Sequence, residues 1–487
     1  MKQSKFLALM MAFVMLVTAL TGCGGNNSAD TSKDNNASSQ PSGTPAQTED
    51  TPNVDTSDGL PAMTTDEITL TVALWGQHEK GETEAREHQI AAFEEAYPNI
   101  HVEFVSIDQA DWNATLTARA ADGTLPDVFG VFQVVDAIAN NWALDVTEFY
   151  ENDPDAQEVY PYMIDNVRFG GKLFCMPWVL FPAMYFVNET MFEKYNEPMP
   201  SYDWTVDDFK EIAERITHPE DFYFGTSQPL MDEFFLPYYD GTSALGWDGK
   251  NYNFSQTWID ARNLRNEWIQ NGTVEWMAEE DKLSQLGDPQ AWPPGWGRSA
   301  MHLDWAWSIS AFEDIYTPQS GCTFRYYPQP MGPTGCEMDT VDFGVISATT
   351  QYPREAWELQ KWMMWGKEAC LNRFEGYKEA GVAVISRMPV ITNEEVWAKA
   401  SSYADEVNPN RDNSDIKALY EHLRSVSILP APWSSTPGYP EFEKWLNEND
   451  IWGQLNRYEI TPAEIADELT QTANRFKDEW FARVGLS

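Results

Sequence analysis

The chain has 487 residues, of which 43% are hydrophobic, and a formal net charge of −44. That length calls for more than one hydrophobic core. The charge excludes nucleic acid, whose phosphates would be repelled, and direct docking on an anionic membrane surface.

Lys2 and Lys5 precede "FLALMMAFVMLVTAL", residues 6–20. This apolar run is short for a membrane span, which takes about 20 residues, and suits a signal-peptide core. "LTGC" follows, ending at Cys23, and resembles a bacterial lipobox, whose cysteine is lipidated and becomes the new N-terminus. Residues 1–22 are therefore read as a lipoprotein signal peptide, with Cys23 as the lipidation site. Residues 23–66 are rich in Gly, Ser, Thr, Asn, Asp and Pro and read as the lipid anchor and a disordered tether.

"EITLTVALW" (67–75) alternates Ile68, Leu70, Val72 and Leu74, which predicts a strand. The next segment carries Ile90, Phe93 and Tyr97 at helical spacing and stops at Pro98. "IHVEFVSI" (100–107) alternates again, completing a strand–helix–strand unit with parallel strands. A helix over 111–123, closed by Gly123, leads into a third strand in "LPDVFGVF". Open α/β sheets bind ligands beyond the carboxyl ends of their strands. Glu79 and Lys80 would lie at that edge after the first strand, and Gln133 after the third. Residues 168–195 are apolar runs broken by Pro177 and Pro182, which argues against one central strand and for a crossing between lobes. Thr205 and Thr461 precede helices as N-caps. Trp357, Trp362 and Trp365 lie at helical spacing and are expected in the core. Arg387 in "VISRMPV" reads as a core-adjacent charge able to pair with an acid.

Five cysteines are present, and with Cys23 taken by lipid four remain: Cys175, Cys322, Cys336 and Cys370. Cys322 and Cys336 flank a Pro/Gly-rich segment and are open to a disulfide or to free thiols. The six histidines show no ligand spacing, and no nucleophile elbow, HExxH or phosphate-binding lysine loop occurs. No catalytic residue, metal or cofactor is assigned.

The order of several segments resembles that of the family 1 extracellular solute-binding proteins of ABC importers, the group that includes the maltodextrin-binding proteins. The segments are "GGKLFCMPWVLFPAMYFVNETMFEKY", "WTVDDFKEIAERIT", "GRSAMHLDWAWSISAF", and "PQPMGP" followed by "FGVISATTQYPREAWELQKWM". The resemblance implies an α/β, two-lobed, periplasmic-binding-protein-like fold. Each lobe is an open mixed or parallel sheet flanked by helices, with a hinge between the lobes. The lobes are placed at 67–179 with 328–365 and at 180–327 with 366–487, with crossings near Val179, Tyr327 and Trp365. It further implies a non-enzymatic binding protein, expected to be monomeric, that delivers an oligosaccharide to permease subunits. Glu79 and Lys80 match a polar pair that reads sugar hydroxyls in maltodextrin-type proteins, and Trp305 matches a stacking tryptophan. Asp304 is then expected as a hydroxyl acceptor and Trp307 as core packing, although strand alternation would put both indoles on one face. Trp296 and Trp433, set among prolines and glycines, and Trp178, which with Phe181 stands where the family pattern has a glutamate, complete the expected ligand set. A polyamine, peptide or metal-chelate ligand in the same fold, or a lipid-anchored glycoside hydrolase, are the competing readings.

Overall fold

The computed structural model describes residues 60–227 and 231–486. The signal peptide, Cys23 and the tether up to residue 59 lie outside the described residues. Residues 60–66, expected to belong to the tether, sit on the body instead. Leu60 is buried, Arg354 Nε donates to the carbonyl of Pro61 at 2.9 Å, and Thr64 N donates to Glu355 at 2.6 Å.

Among the described residues twelve strands occur in chain order: β1 Ile68–Ala73, β2 Ile100–Phe104, β3 Val128–Val131, β4 Arg168–Phe169, β5 Lys172–Leu173, β6 Met176–Phe181, β7 Ala183–Asn188, β8 Phe224–Thr226, β9 Ser299–Trp305, β10 Phe324–Tyr327, β11 Cys336–Ile346 and β12 Ser427–Pro430. The first lobe is built on a sheet ordered β12-β11-β3-β1-β2, with β6 also on β11. β1 runs parallel to β2 and β3, as the alternating patterns predict, and β11 enters antiparallel to β3 and β6. The second lobe is built on β10-β7-β9-β8. β4 and β5 form a separate hairpin.

The two prolines of the 168–195 segment act as expected. Pro182 separates β6, which belongs to the first sheet, from β7, which belongs to the second. Pro177 pairs with Phe343 beside the β6–β11 register shift, which leaves Trp178 without a partner across the ladder. The first crossing is thus at Pro182. The second spans 328–335, between β10 and β11.

The third crossing departs from expectation. Trp365 is fully buried in the first lobe, and the helix Lys367–Glu379 packs on the helix Glu82–Ala96. Trp397, Tyr403, Ile416 and Tyr420 join the same core, and β12 pairs with β11. The chain returns to the second lobe only after β12, where Tyr439, Phe442, Leu446 and Leu469 pack with Tyr252, Phe254 and Trp258. Helix amphipathicity shows that residues 366–430 are buried, but not against which sheet. The C-terminal helix Pro462–Val484 then ties the lobes together: Leu469 lies in the second-lobe core and Trp480 in that of the first. Both threonine caps form as capping boxes, Thr205 with Asp208 and Thr461 with Glu464.

Candidate functional site

The cleft is built where β1, β6 and β9 end. β1 runs into Trp75, whose indole lies so close to Gly130 that a Cβ there would come within 2.5 Å of it. Phe132 stacks on Trp75 at 4.6 Å, and Trp75 Nε1 donates to Asp342 Oδ2 at 3.1 Å. Gly76 follows at φ +85°, a conformation that L side chains rarely adopt, and a Cβ on it would sit 2.5 Å from Arg387. This permits Arg387 to approach the turn that carries Glu79.

Arg387 is 1% exposed and makes two ion pairs at 2.9 Å, from Nη2 to Glu79 and from Nε to Glu82. Glu82 is 2% exposed and also accepts from the Tyr377 hydroxyl. Burial alone would raise its pKa, but Arg387, Arg373, Tyr377 and Arg86 hold it below the usual carboxylate range. Glu79 keeps a free, solvent-facing side. Lys80 beside it is exposed and, among the described residues, has no carboxylate partner.

From Arg387 an aromatic line crosses to the second lobe. Its guanidinium carbon lies 4.8 Å from the Phe181 ring, at the end of β6. Phe181 meets Trp307 edge to face at 5.3 Å, and Trp307 stacks on Trp305 at 5.1 Å with 14° between planes. Trp433 and Phe234 pack on Trp305 at 6.2 and 6.3 Å. β9 ends at Trp305, which pairs with Ala183, and a short turn over Ala306–Ser308 follows. That turn brings the two indoles face to face.

The expected ligand set divides accordingly. Trp305 and Trp433 come together, and the helix Val134–Ala139 that Gln133 opens packs on the helix Pro432–Ser435 that carries Trp433. Glu79 and Lys80 lie at the edge of the first lobe. Asp304, expected as a hydroxyl acceptor, takes hydrogen bonds within the chain, from Trp305 N at 2.8 Å and Ser308 Oγ at 2.7 Å, fixing the turn. Trp307, expected in the core, is instead 42% exposed. Trp178 is 1% exposed, wedged between Trp75 and Arg387, and presents no face to a ligand. Trp296 precedes β9 and lies at the opposite end of that strand from Trp305, roughly 20 Å away at strand rise. The sequence placed Phe181 with Trp178 where the family pattern has a glutamate, but gave no sign that its ring bridges Arg387 and Trp307.

The described cysteines are free thiols, Cys322 and Cys336 included. Among the described residues no group of His, Cys, Asp and Glu is placed to hold a metal.

Asp342 gives the site a pH dependence. Burial lifts its carboxyl from the ordinary 3.8 to about 7, against the pull of Arg387 and the Trp75 hydrogen bond. The folded protein therefore holds this proton more tightly than the unfolded chain. The associated stability is full below pH 3.8 and is lost as pH rises towards 7, by at most about 1.4 kcal/mol per pH unit. Asp342→Asn keeps an acceptor for Trp75. Urea melts of this variant between pH 4 and 7 are expected to show a flatter stability profile than the parent, and an unchanged slope would remove Asp342 as its source.

A family model for bacterial extracellular solute-binding proteins matches residues 76–364. Among solved structures, an ABC substrate-binding protein from Listeria monocytogenes in complex with cycloalternan is 18% identical, over 87% of this chain and 100% of that one, with a TM-score of 0.59. A sugar transporter from Rhizobium etli in an open conformation is 16% identical, over 83% and 98%, with a TM-score of 0.65. A cyclo/maltodextrin-binding protein complexed with maltotetraose is 16% identical, over 86% and 98%, with a TM-score of 0.61. These likenesses establish the two-lobed fold.

Proposed function

The chain belongs to the bacterial extracellular solute-binding proteins, and from that premise we propose that it captures an oligosaccharide between its lobes and hands it to an ABC-type permease. The lipid on Cys23 would hold it at the outer face of the cytoplasmic membrane. Among the described residues no helix is long and apolar enough to cross a membrane.

One observation carries the reading: the stacked Trp305–Trp307 pair, with one indole face open, beside Phe181 and the Glu79–Arg387 pair. Sugar rings have apolar C–H faces and a rim of hydroxyls. Indoles suit the first, and charged or amide groups suit the second. Glu79, Lys80 and Gln133 supply the polar rim. The Trp305 Nε1–H is buried without a partner, and a buried unpaired donor is costly unless a ligand oxygen meets it. That two of the similar structures hold cycloalternan and maltotetraose supports the ligand class.

The test is a titration of the anchor-free chain with a panel of oligosaccharides, following tryptophan fluorescence and melting temperature together. A ligand that binds only the native state raises the melting temperature. A micromolar response to one oligosaccharide class is expected. Silence towards every sugar with a response to a polyamine, peptide or metal chelate would overturn the ligand, and slow appearance of shortened sugar would reveal a hydrolase. Separately, Cys23→Ser is expected to move the protein from the membrane fraction to the medium. Full retention of processed Cys23→Ser protein would exclude the lipid anchor.

A further inference from the structure

At the end of the second lobe remote from the cleft, the start of β9 borders a cavity of about 320 Å³. Two cations share one ring there: Lys194 Nζ lies 3.5 Å and the Arg298 guanidinium carbon 4.6 Å from the Tyr223 centroid. The chain has 76 acidic and 32 basic residues, so carboxylate partners are abundant. Among the described residues, however, neither Lys194 nor Arg298 has one, and no Asp or Glu lines the cavity. Two like charges without carboxylate partners thus face one cavity. The shared ring gives each cation a cation–π contact in place of a salt bridge.

The remaining wall is uncharged. Gln285 and Gln319 contribute amides, and Trp296 a half-buried indole. The volume falls at the lower end of small-molecule sites, about 300–1,000 Å³, and exceeds what a bare oxyanion fills. An indole for a sugar face, amides for hydroxyls and two cations for a carboxylate define one class of occupant. We propose that this cavity is a second ligand site, separate from the cleft, that binds an acidic monosaccharide of the uronate type through Lys194 and Arg298. This gives Trp296, which the cleft does not use, a role.

Cys322 lines the same cavity and is half-buried, which provides a local reporter. The full chain in detergent is alkylated with iodoacetamide, and modification of Cys322 and Cys336 is followed by peptide mass spectrometry, with Cys336 as the remote control. Millimolar galacturonate is expected to slow alkylation of Cys322 roughly fivefold or more as the site fills, leaving Cys336 unchanged. Galactose, acetate and inorganic phosphate are expected to protect much less. Lys194→Gln, at an exposed position, and Arg298→Gln should each abolish most of the protection. An unchanged Cys322 rate with galacturonate would overturn the site. Equal protection by acetate or phosphate would overturn the sugar assignment, as would protection surviving in both variants. Because Trp307→Ala leaves this cavity untouched, protection in that variant separates failure here from failure of the cleft reading.

Discussion

Trp307→Ala is expected to weaken oligosaccharide binding at least tenfold while moving the melting temperature little. The indole is 42% exposed, so truncation removes less buried area than at a core tryptophan, and its partners Phe181 and Trp305 are held by their own lobes. A tenfold loss corresponds to about 1.4 kcal/mol, within what one aromatic face contributes to a stacked contact. Trp305→Ala is expected to behave differently. That ring is half-buried and packed by Trp307, Trp433 and Phe234, so its loss costs stability as well as binding, though less than the roughly 3–5 kcal/mol of a fully buried tryptophan. The pair of variants thus separates a platform from its support. Isothermal titration and thermal melts of both decide the matter. Unchanged affinity in Trp307→Ala would take the exposed indole out of the site.

The division of labour between these two indoles shows where the sequence stops being informative. Alternation puts residues two apart on one face only while the strand continues. β9 ends at Trp305, because Asp304 turns its carboxylate onto Trp305 N and Ser308, and no pattern in "LDWAWS" announces that bond. Local signals were legible: the β1–β2 unit, Gly123 as a helix stop, the Thr205 and Thr461 boxes, the break at Pro182. Trp178 was not, because β6 is buried at all six positions and offers no periodicity that separates core from cleft. Neither was the return of residues 366–430 to the first lobe, since Trp397 and Tyr420 reveal that they are buried but not by what. The partners of Arg387 lie more than 300 residues upstream, and its hydrogen bond to Glu79 spans 308 positions. Such pairs are properties of the fold.

That distant pair leads to the second large effect. Arg387→Leu is expected to destabilise the first lobe by about 3–5 kcal/mol, the usual cost of leaving a buried charge without its partner. Most of the loss belongs to Glu82, which is 2% exposed, and little to Glu79, whose exposed carboxylate is rehydrated when the guanidinium goes. Glu79→Gln should therefore cost less than about 1 kcal/mol. The double variant Arg387→Leu with Glu82→Leu should recover only part of the loss, because the buried Arg373 and Arg86 then lose the carboxylate they face, and a double-mutant cycle in urea measures the coupling. The pH dependence gives an independent check. In the parent, Arg387 helps hold the Glu82 pKa below the ordinary 4.5, so this pair stabilises above that pH and its contribution is lost as pH falls through the depressed value. Without Arg387, the largest of the groups that hold it down, the Glu82 pKa rises, with Arg373, Tyr377 and Arg86 still opposing burial. The deficit of the single variant should then shrink on acidification, as protonation removes the uncompensated charge. A deficit constant from pH 7 to pH 4 would mean that the loss comes from the packing of Arg387 on Phe181 and Trp178 rather than from Glu82. In that case Arg387 would act on the cleft through the aromatic line, and the affinity loss in Arg387→Leu should match that of Trp307→Ala.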